Sequence, residues 1–453
     1  MSKYQAYPEY KDSGIEWVGD IPNEWYVKPT FSLFDSAVTK NIDGLETNVL
    51  SLSYGKIIKR DVEKNFGLLP ESFNTYQIVD FGDIILRLTD LQNDKRSLRV
   101  GLAQERGIIT SAYLKLATKN ELDAKFAYRL LHSYDTTKVF YGMGGGLRQS
   151  MKFEDFRRLP ILVPPIKEQT QIAAFLDHET AKIDTLIEKQ QQLIELLKEK
   201  RQAVISHAVT KGLNPDAPMK DSGVEWLGEV PEHWVVSKIK NFATIESGHT
   251  PSKTKEEYWI NCTIPWVSLN DSQQLKVVDY IDETKYNISE LGMANSSAHL
   301  LPEKAVVFTR DASIGLSAIT TKPMAVSQHL IAWICNEYCL IPEYLLLVFY
   351  AMESEFDRYT SGATLKTIGM DNVRSLTAAF PPICEQKEII NWAFENIQKI
   401  KTSIDGSEKV IALLKERRTA LISAAVTGKI DVRNWAAPTT SSDATEVQQE
   451  VSV

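Results

Sequence analysis

Lys11-Asp12-Ser13-Gly14-Ile15-Glu16-Trp17-Val18-Gly19-Asp20-Ile21-Pro22 returns, 209 residues later, as Lys220-Asp221-Ser222-Gly223-Val224-Glu225-Trp226-Leu227-Gly228-Glu229-Val230-Pro231. A second repeat is shifted by 217. Leu196-Leu197-Lys198-Glu199-Lys200-Arg201 returns as Leu413-Leu414-Lys415-Glu416-Arg417-Arg418, and 11 of the 15 residues from Leu196 to Thr210 recur identically. The segments between the repeats are far less alike. A duplicated frame around two unlike inserts predicts a symmetric scaffold that presents two distinct modules.

The frame itself reads as helix. Ala173, Leu176, Thr180, Ile183, Ile187, Gln190, Ile194, Leu197, Arg201, Val204 and Ala208 keep a 3/4 spacing, and Ile390, Ala393, Ile397, Ile400, Ile404, Ser407, Ile411, Leu414, Arg418, Leu421 and Ala425 repeat it. That spacing is the seam of a coiled coil. Each helix spans about 40 residues, or about 60 Å. Pro164-Pro165 and Pro381-Pro382 end the preceding strands, Glu168 and Glu385 place acid in the first turn, and Gly212 and Gly428 stand just past the ends. Two single stripes in one chain bury each other most simply as an antiparallel pair. The matched polar seam residues, Gln190 with Ser407 and Arg201 with Arg418, either set register or sit at solvated ends.

The inserts read as mixed α and β. Asp83-Ile84-Ile85-Leu86 and Lys304-Ala305-Val306-Val307-Phe308 are strand-like. Each runs into a polar turn, Arg87-Leu88-Thr89-Asp90 and Thr309-Arg310-Asp311-Ala312-Ser313, and a helical stretch follows at Phe126–Leu131 and Pro342–Leu347. The tail from Ala436 is polar enough to be expected disordered.

Composition limits the alternatives. The chain of 453 residues carries 51 basic and 59 acidic residues, net −8, with 43% hydrophobic residues. Residues 1–160 carry net +1 and residues 215–380 net −8, so no part is the uniformly basic domain that usually marks a free-standing DNA binder. No apolar run is long enough for a membrane span, and the N-terminus has no apolar signal core. Cys262, Cys335, Cys339 and Cys384 form no Cys-x-x-Cys pair and read as buried free thiols of a cytoplasmic protein.

Taken in order, these motifs resemble the specificity subunit of type I restriction–modification systems. The resemblance rests on the two Lys-Asp-Ser-Gly blocks, each followed by Ile-Pro-Asn-Glu-Trp (21–25) or Val-Pro-Glu-His-Trp (230–234). It rests also on Pro-Pro-Ile-Lys-Glu-Gln (164–169) and Pro-Pro-Ile-Cys-Glu-Gln (381–386), which open helices ending in Ile-Ser-x-Ala-Val-Thr, and on Ser247–Lys253 leading to Ile264-Pro265-Trp266-Val267-Ser268. It covers residues 11 to about 430. The fold it implies is α+β: two mixed α/β target-recognition domains separated by two long antiparallel coiled-coil helices, with a pseudo-twofold internal repeat. The implied boundaries are 1–163 for the first recognition domain, 164–212 for the first spacer helix, 213–380 for the second domain, 381–430 for the second helix and 431–453 for the tail.

The resemblance implies that each domain reads one half of an asymmetric bipartite site in double-stranded DNA. The helices then set the spacer and dock two copies of the modification (methyltransferase) subunit. The seam residues Leu176, Ile183, Ile187, Ile194, Leu197, Ile397, Ile400, Ile404, Ile411 and Leu414 would carry that role. Adenine methylation and ATP-dependent cleavage would belong to the modification and motor-nuclease subunits, with S-adenosylmethionine, ATP and Mg expected there and no cofactor, metal or catalytic residue on this chain.

Candidate DNA contacts in the first module are Tyr54 with Lys56, Arg87, the cluster Lys95, Arg96 and Arg99, and Arg148 after Gly144-Gly145-Gly146. In the second they are Thr250, Ser252, Lys253 and Lys255, then Ser268, Arg310 and Lys366. Arg suits bidentate contact with guanine, while Lys and Ser/Thr suit phosphate. Arg87 and Arg310 each have an Asp nearby, so a structural ion pair competes with that reading. Trp17, Trp25, Trp226 and Trp234 repeat with the frame and read as core or subunit contacts. Enzyme readings find little support. Val163-Pro164-Pro165-Ile166 and Phe380-Pro381-Pro382-Ile383 lack the flanking groups of a methyltransferase loop, and Gly142-Met143-Gly144-Gly145-Gly146 lacks the Lys-Ser/Thr of a P-loop. The non-enzymatic alternative is a coiled-coil adaptor for two proteins that never touches DNA, and the acidic second module favours it.

Overall fold

The structure is a computed structural model that describes residues 4–61, 72–89, 91, 98–142, 151–361 and 366–437. The chain divides into two compact units, Met1–Gln190 with Lys409–Val453, and Gln191–Glu408. Each unit therefore takes one recognition module, the start of the long helix that follows it and the end of the other long helix.

In the first unit a four-stranded antiparallel sheet runs in the order Phe34–Asp35, Leu114–Thr118, Ile84–Leu86, Val100–Leu102. Ile84, Ile85 and Leu86 are all fully buried because the sheet is covered on both faces. Strand side chains alternate, so Ile84 and Leu86 enter one core with Phe126, Ala127, Leu130 and Leu131 of the helix Ala124–Thr136. Ile85 enters another with Leu50, Val79 and Ile109. Asp123 caps that helix by accepting from the Phe126 amide at 2.9 Å. Each fully buried aliphatic side chain contributes about 1.5–3 kcal/mol.

The second unit repeats the plan with a larger sheet, in the order Ala243–Ser247, Leu330–Cys335, Val306–Thr309, Ser317–Thr320, Tyr280–Ile281. Its last strand is parallel to its neighbour and the rest are antiparallel. Val306 and Phe308 pack with the helix Pro342–Ala351, while Val307 faces a separate core with Ala318, Ala332 and Val326. A further sheet joins Asn287–Ile288, Ile264–Val267 and Ala325–Val326; the first unit pairs Gly107–Ile109 with Gln77–Val79 and adds a parallel bridge from Val49 to Ile108.

The long helices span Ile166–Thr210 and Ile383–Val426, 45 and 44 residues. Every seam residue named from the spacing is buried or half-buried, while Leu193, Leu196, Val410 and Leu413, off the seam, are 41%, 61%, 41% and 64% exposed. In the first unit Ile172, Phe175 and Leu176 share a core with Ile422, Ala425 and Val426, and Arg418 Nε donates to Asp184 Oδ1 at 2.9 Å. As one residue number rises its partner's falls, so these segments run antiparallel. In the second unit Ile205, Ala208 and Val209 share a core with Ile389, Ala393 and Ile397. The matched arginines do different work: Arg418 pairs with Asp184, whereas Arg201 lies 5.2 Å over the Tyr350 ring.

The repeated motifs meet at one junction, built twice. Trp25 and Trp234 are buried, and each indole donates to the first-turn glutamate, to Glu168 at 2.9 Å and to Glu385 at 3.0 Å. The next residue is a backbone clamp. Gln169 donates to the Pro164 and Glu121 carbonyls at 2.8 and 3.0 Å and accepts from Asp123 N at 2.7 Å. Gln386 does the same with Pro381 and Cys339 at 2.9 Å each and with Ile341 N at 3.0 Å. The glycines that stop the helices sit against the same tryptophans at φ +74° and +73°: a Cβ on Gly212 would stand 3.1 Å from Trp234, and one on Gly428 would stand 2.3 Å from Pro22. Glu168 and Glu385 are thus tertiary anchors as well as helix-dipole partners, a role that the first-turn position alone does not disclose. Tyr7 also donates to Glu168, and burial beside that carboxylate drives its hydroxyl pKa well above the ordinary tyrosine range.

The cysteines correct the expectation of burial. Cys262, Cys335 and Cys339 are half-buried and Cys384 is exposed, all free. Burial pushes the Cys335 thiol up to about 12. Among the described residues no helix is long and apolar enough to cross a membrane. The tail beyond residue 437 lies outside the described residues.

Candidate nucleic-acid interface

In the first unit one end of the main sheet gathers the candidate residues. Leu86 pairs with Leu114 and with Val100, so Arg87 and Arg99 leave the sheet side by side, and Arg87 N donates to Arg99 O at 2.9 Å. The hairpin Leu50–Ser53/Lys56–Lys59 folds over the neighbouring strand, with the Leu52 and Ile57 side chains within 3 Å of where a Cβ on Gly101 would lie. Its tip is Tyr54-Gly55, both at positive φ, 46° and 78°. A two-residue turn of that hand suits a hairpin, and it leaves Tyr54 82% exposed. Lys56 and Lys59 are exposed and have no carboxylate partner among the described residues. Met151 N donates to Leu88 O at 2.8 Å, which brings the segment after the glycine run to the same end.

The second unit has an equivalent end. Thr309 pairs with Leu330 and Ser247 with Ile331, so the loops that follow Ser247 and Thr309 and precede Leu330 emerge together. Gly248 fits so tightly that a Cβ would lie 2.1 Å from Val326 O and 2.3 Å from Ser327 O. The loop 249–255 is thereby pinned beside residues 327–329, with His249 N on Val326 O at 3.1 Å. Ser252 and Lys253 are exposed, and Lys253 makes no ion pair among the described residues. Lys255 donates to the Tyr258 hydroxyl at 3.1 Å, and that bond raises its pKa. Lys366 joins the same edge through Ala312 N to Lys366 O, 2.9 Å, while its ammonium pairs with Asp357 at 2.9 Å.

Two sequence-based contacts are corrected. Arg99 is fully buried. Its guanidinium donates to the Arg87 and Thr89 carbonyls at 3.1 and 2.7 Å and to the Tyr141 hydroxyl at 3.1 Å, and its own amide donates to Asp135 at 2.6 Å. It is an internal clamp that holds the turn, because a buried guanidinium must satisfy its donors inside the protein. Ser268 is 3% exposed and accepts from Asn270 N while bonding Asp271; it caps a turn and does not face a ligand. Thr250 is half-buried and Arg87 half-exposed. Lys95, Arg96 and Arg148 lie outside the described residues, as do Asp90 and residues 143–146. The ion pair weighed for Arg310 is present but loose, Nε to Asp311 Oδ1 at 3.9 Å. Sequence reading missed Gln328 and His329, which share this edge. Their only signal was position, immediately before the strand that pairs with Val306–Thr309. Among the described residues no group of three or more His, Cys, Asp or Glu side chains is placed to hold a metal.

Comparison with known proteins identifies the class. The family model described as the type I restriction modification DNA specificity domain matches residues 99–196 and 231–404, and the chain belongs to that family of type I restriction–modification specificity subunits. The putative type I restriction enzyme MjaX specificity subunit of Methanocaldococcus jannaschii is 23% identical over 442 residues, 92% of this chain and 96% of that protein. The MjaIX specificity subunit of the same organism is 27% identical over 165 residues, covering 36% of this chain and 38% of that protein. The Escherichia coli EcoR124I/EcoR124II specificity subunit is 25% identical over 296 residues, 62% of this chain and 65% of its own length.

Two solved chains share the fold. One, from a structure of complex assembly and conformational transition in the type I R-M system, has a TM-score of 0.68 at 16% identity and covers 90% of this chain and 99% of its own. The other, the HsdS subunit from Thermoanaerobacter tengcongensis, has a TM-score of 0.53 at 14% identity over 90% of this chain and 98% of its own.

Proposed function

We propose that the two sheet ends are the DNA-reading faces of this specificity subunit, each addressing one half of an asymmetric bipartite site in double-stranded DNA. The observation that carries the reading is the twofold construction. The junction Trp–Glu–Gln–Gly is the same in both units, while the loops at the equivalent sheet ends share only the arginine after the central strand, Arg87 and Arg310, among their candidate contacts and otherwise differ. A scaffold selected to be the same twice, with unlike chemistry at its tips, suits two different ligand sequences and not two copies of one.

The long helices act as the spacer. Leu193 with Leu196 and Val410 with Leu413 occupy equivalent positions, remain exposed and lie off the seam. Duplicate apolar pairs in a near-identical sequence suit two copies of one partner, and the modification subunit is that partner. The chain carries recognition alone. Methyl transfer, translocation and cleavage, with S-adenosylmethionine, ATP and Mg, belong to the modification and motor-nuclease subunits. A module of net −8 has little non-specific phosphate attraction of its own, so most of the phosphate clamp comes from the modification subunits.

The test is sequence-dependent retention of duplex DNA by the purified chain with and without its modification subunit. The reading expects weak retention by the chain alone and salt-sensitive, sequence-dependent retention by the assembly. An adaptor that never touches DNA gives no retention by the chain alone and no sequence-dependent retention in the assembly.

A further inference from the structure

At the reading end of the second unit, Asp311 is a buried carboxylate, 9% exposed, that organises its neighbours. It accepts from His329 Nδ1 at 2.7 Å and from the Thr367 hydroxyl. That bond commits the His329 ring proton to Nδ1 in the neutral tautomer and leaves Nε2 as an outward acceptor. The Gln328 amide lies 3.5 Å from His329 Nε2, and Gln328 itself is exposed. Arg310 reaches the same place by its backbone, N to His329 O at 3.0 Å. Its Nε is buried and has no hydrogen-bond partner, being 3.9 Å from Asp311, too far for a bond. A buried guanidinium nitrogen without a partner calls for one.

The backbone here is held in place from every side. Ala312 takes φ +62°, a costly conformation for a residue with a Cβ, and it persists because Ala312 N bonds Lys366 O at 2.9 Å and Ile368 N bonds Arg310 O at 2.9 Å. Residues 327–329 are fixed by Ser327 N on Val267 O at 2.9 Å and by the Gly248 contact. The exposed Ser252 and Lys253 lie in the loop that starts beside this turn at Gly248 and His249, so phosphate-type and base-type groups share one end of the sheet.

We propose that Arg310, Gln328 and His329 form the base-reading element of the second module, reading donors and acceptors in the major groove of its half-site, and that Asp311 is the positioning residue that fixes their orientation. Arg310 supplies the paired donors that match guanine O6 and N7, and the Gln328 amide with His329 Nε2 supplies the mixed donor and acceptor that match adenine. The first unit keeps an arginine, Arg87, after the equivalent strand but has Tyr113 where the second unit has His329, so that module reads by different groups. This inference rests on the sheet ends facing DNA.

The test is the methylome of cells free of other methyltransferases that express the complete system with Gln328→Ala, His329→Ala, Arg310→Lys or Asp311→Asn. The expected result is relaxed base preference, about 5- to 150-fold, at one or two adjacent positions of one half-site, with the other half-site and the spacer unchanged. Asp311→Asn should relax the same positions as His329→Ala, an outcome that a purely structural role would not give. Gln328 is exposed, so its variant decides if Arg310→Lys fails to fold. An unchanged motif in Gln328→Ala and His329→Ala overturns the proposal, as does a uniform loss of methylation by folded, assembled variants. Failure of the underlying reading is distinct: the unsubstituted system then yields no bipartite motif.

Discussion

Gln169→Ala should uncouple the first recognition module from its long helix. The side chain is fully buried and makes three hydrogen bonds, to the Pro164 and Glu121 carbonyls and from Asp123 N. Each contributes about 1 kcal/mol, and a buried group left without its partner costs about 1–3 kcal/mol. Solvent reaches the part-buried Asp123 amide more readily than the Pro164 carbonyl, which moderates the sum, so the expected loss is about 3 kcal/mol. The damage should be local, because Asp123 is the N-cap of the helix Ala124–Thr136. Hydrogen exchange should accelerate there and at the start of the first long helix, while residues 213–380 keep their protection. Gln386→Ala should give the mirror result at the Ile341 amide and the helix Pro342–Ala351. A loss below about 1 kcal/mol in urea unfolding, or exchange that rises equally in both modules, would refute the clamp.

The helix-stop glycines should be intolerant. Gly428→Ala places a Cβ 2.3 Å from Pro22 at φ +73° and should cost at least about 2 kcal/mol, whereas Gly14→Ala, at φ +70° with nothing within 4 Å, should cost about 1 kcal/mol, both read by urea midpoints. His132 sets an acid limit. Burial, reinforced by Arg418 and Arg129, lowers its pKa to about 4 from an ordinary 6.5, and its Nδ1 has no partner. Its folded pKa lies below the unfolded one, so stability is full above about pH 6.5 and is lost as pH falls towards 4; the loss at pH 5 is about 2 kcal/mol. His132→Leu should remove that part of the slope in urea titrations at pH 7.5 and 5, and an unchanged slope would discard the assignment. Leu196→Lys, at an exposed site off the seam, should leave unfolding unchanged while lowering the modification subunits bound per chain from two to one by native mass measurement.

The frame was readable because duplication doubles the signal. Two copies of one 3/4 spacing located both helices, and the strand–turn–helix order located Ile84–Leu86 and Val306–Thr309 with the helices after them. What stayed hidden depends on contacts remote in sequence. The partnership of Trp25 with Glu168 spans 143 residues and that of Trp234 with Glu385 spans 151. Arg99 stood in a basic cluster and looked exposed, yet the Arg87 and Thr89 carbonyls and Tyr141 enclose it, because a sequence shows charge but not which charges the fold encloses. Gln328 and His329 carried no motif, and only the pairing of Thr309 with Leu330 brings them beside Arg310.

The central claim is that the paired helices set the distance between two unlike DNA readers. The direct measurement is the methylome of a system whose chain carries one extra heptad in each long helix, after Gln190 and after Ser407, so that both seams keep their register. Seven residues add about 10.5 Å, or about three base pairs at about 3.4 Å each. The account predicts the same two half-sites separated by about three more base pairs. An unchanged spacer with methylation intact, or altered half-site bases at the old spacing, would contradict it.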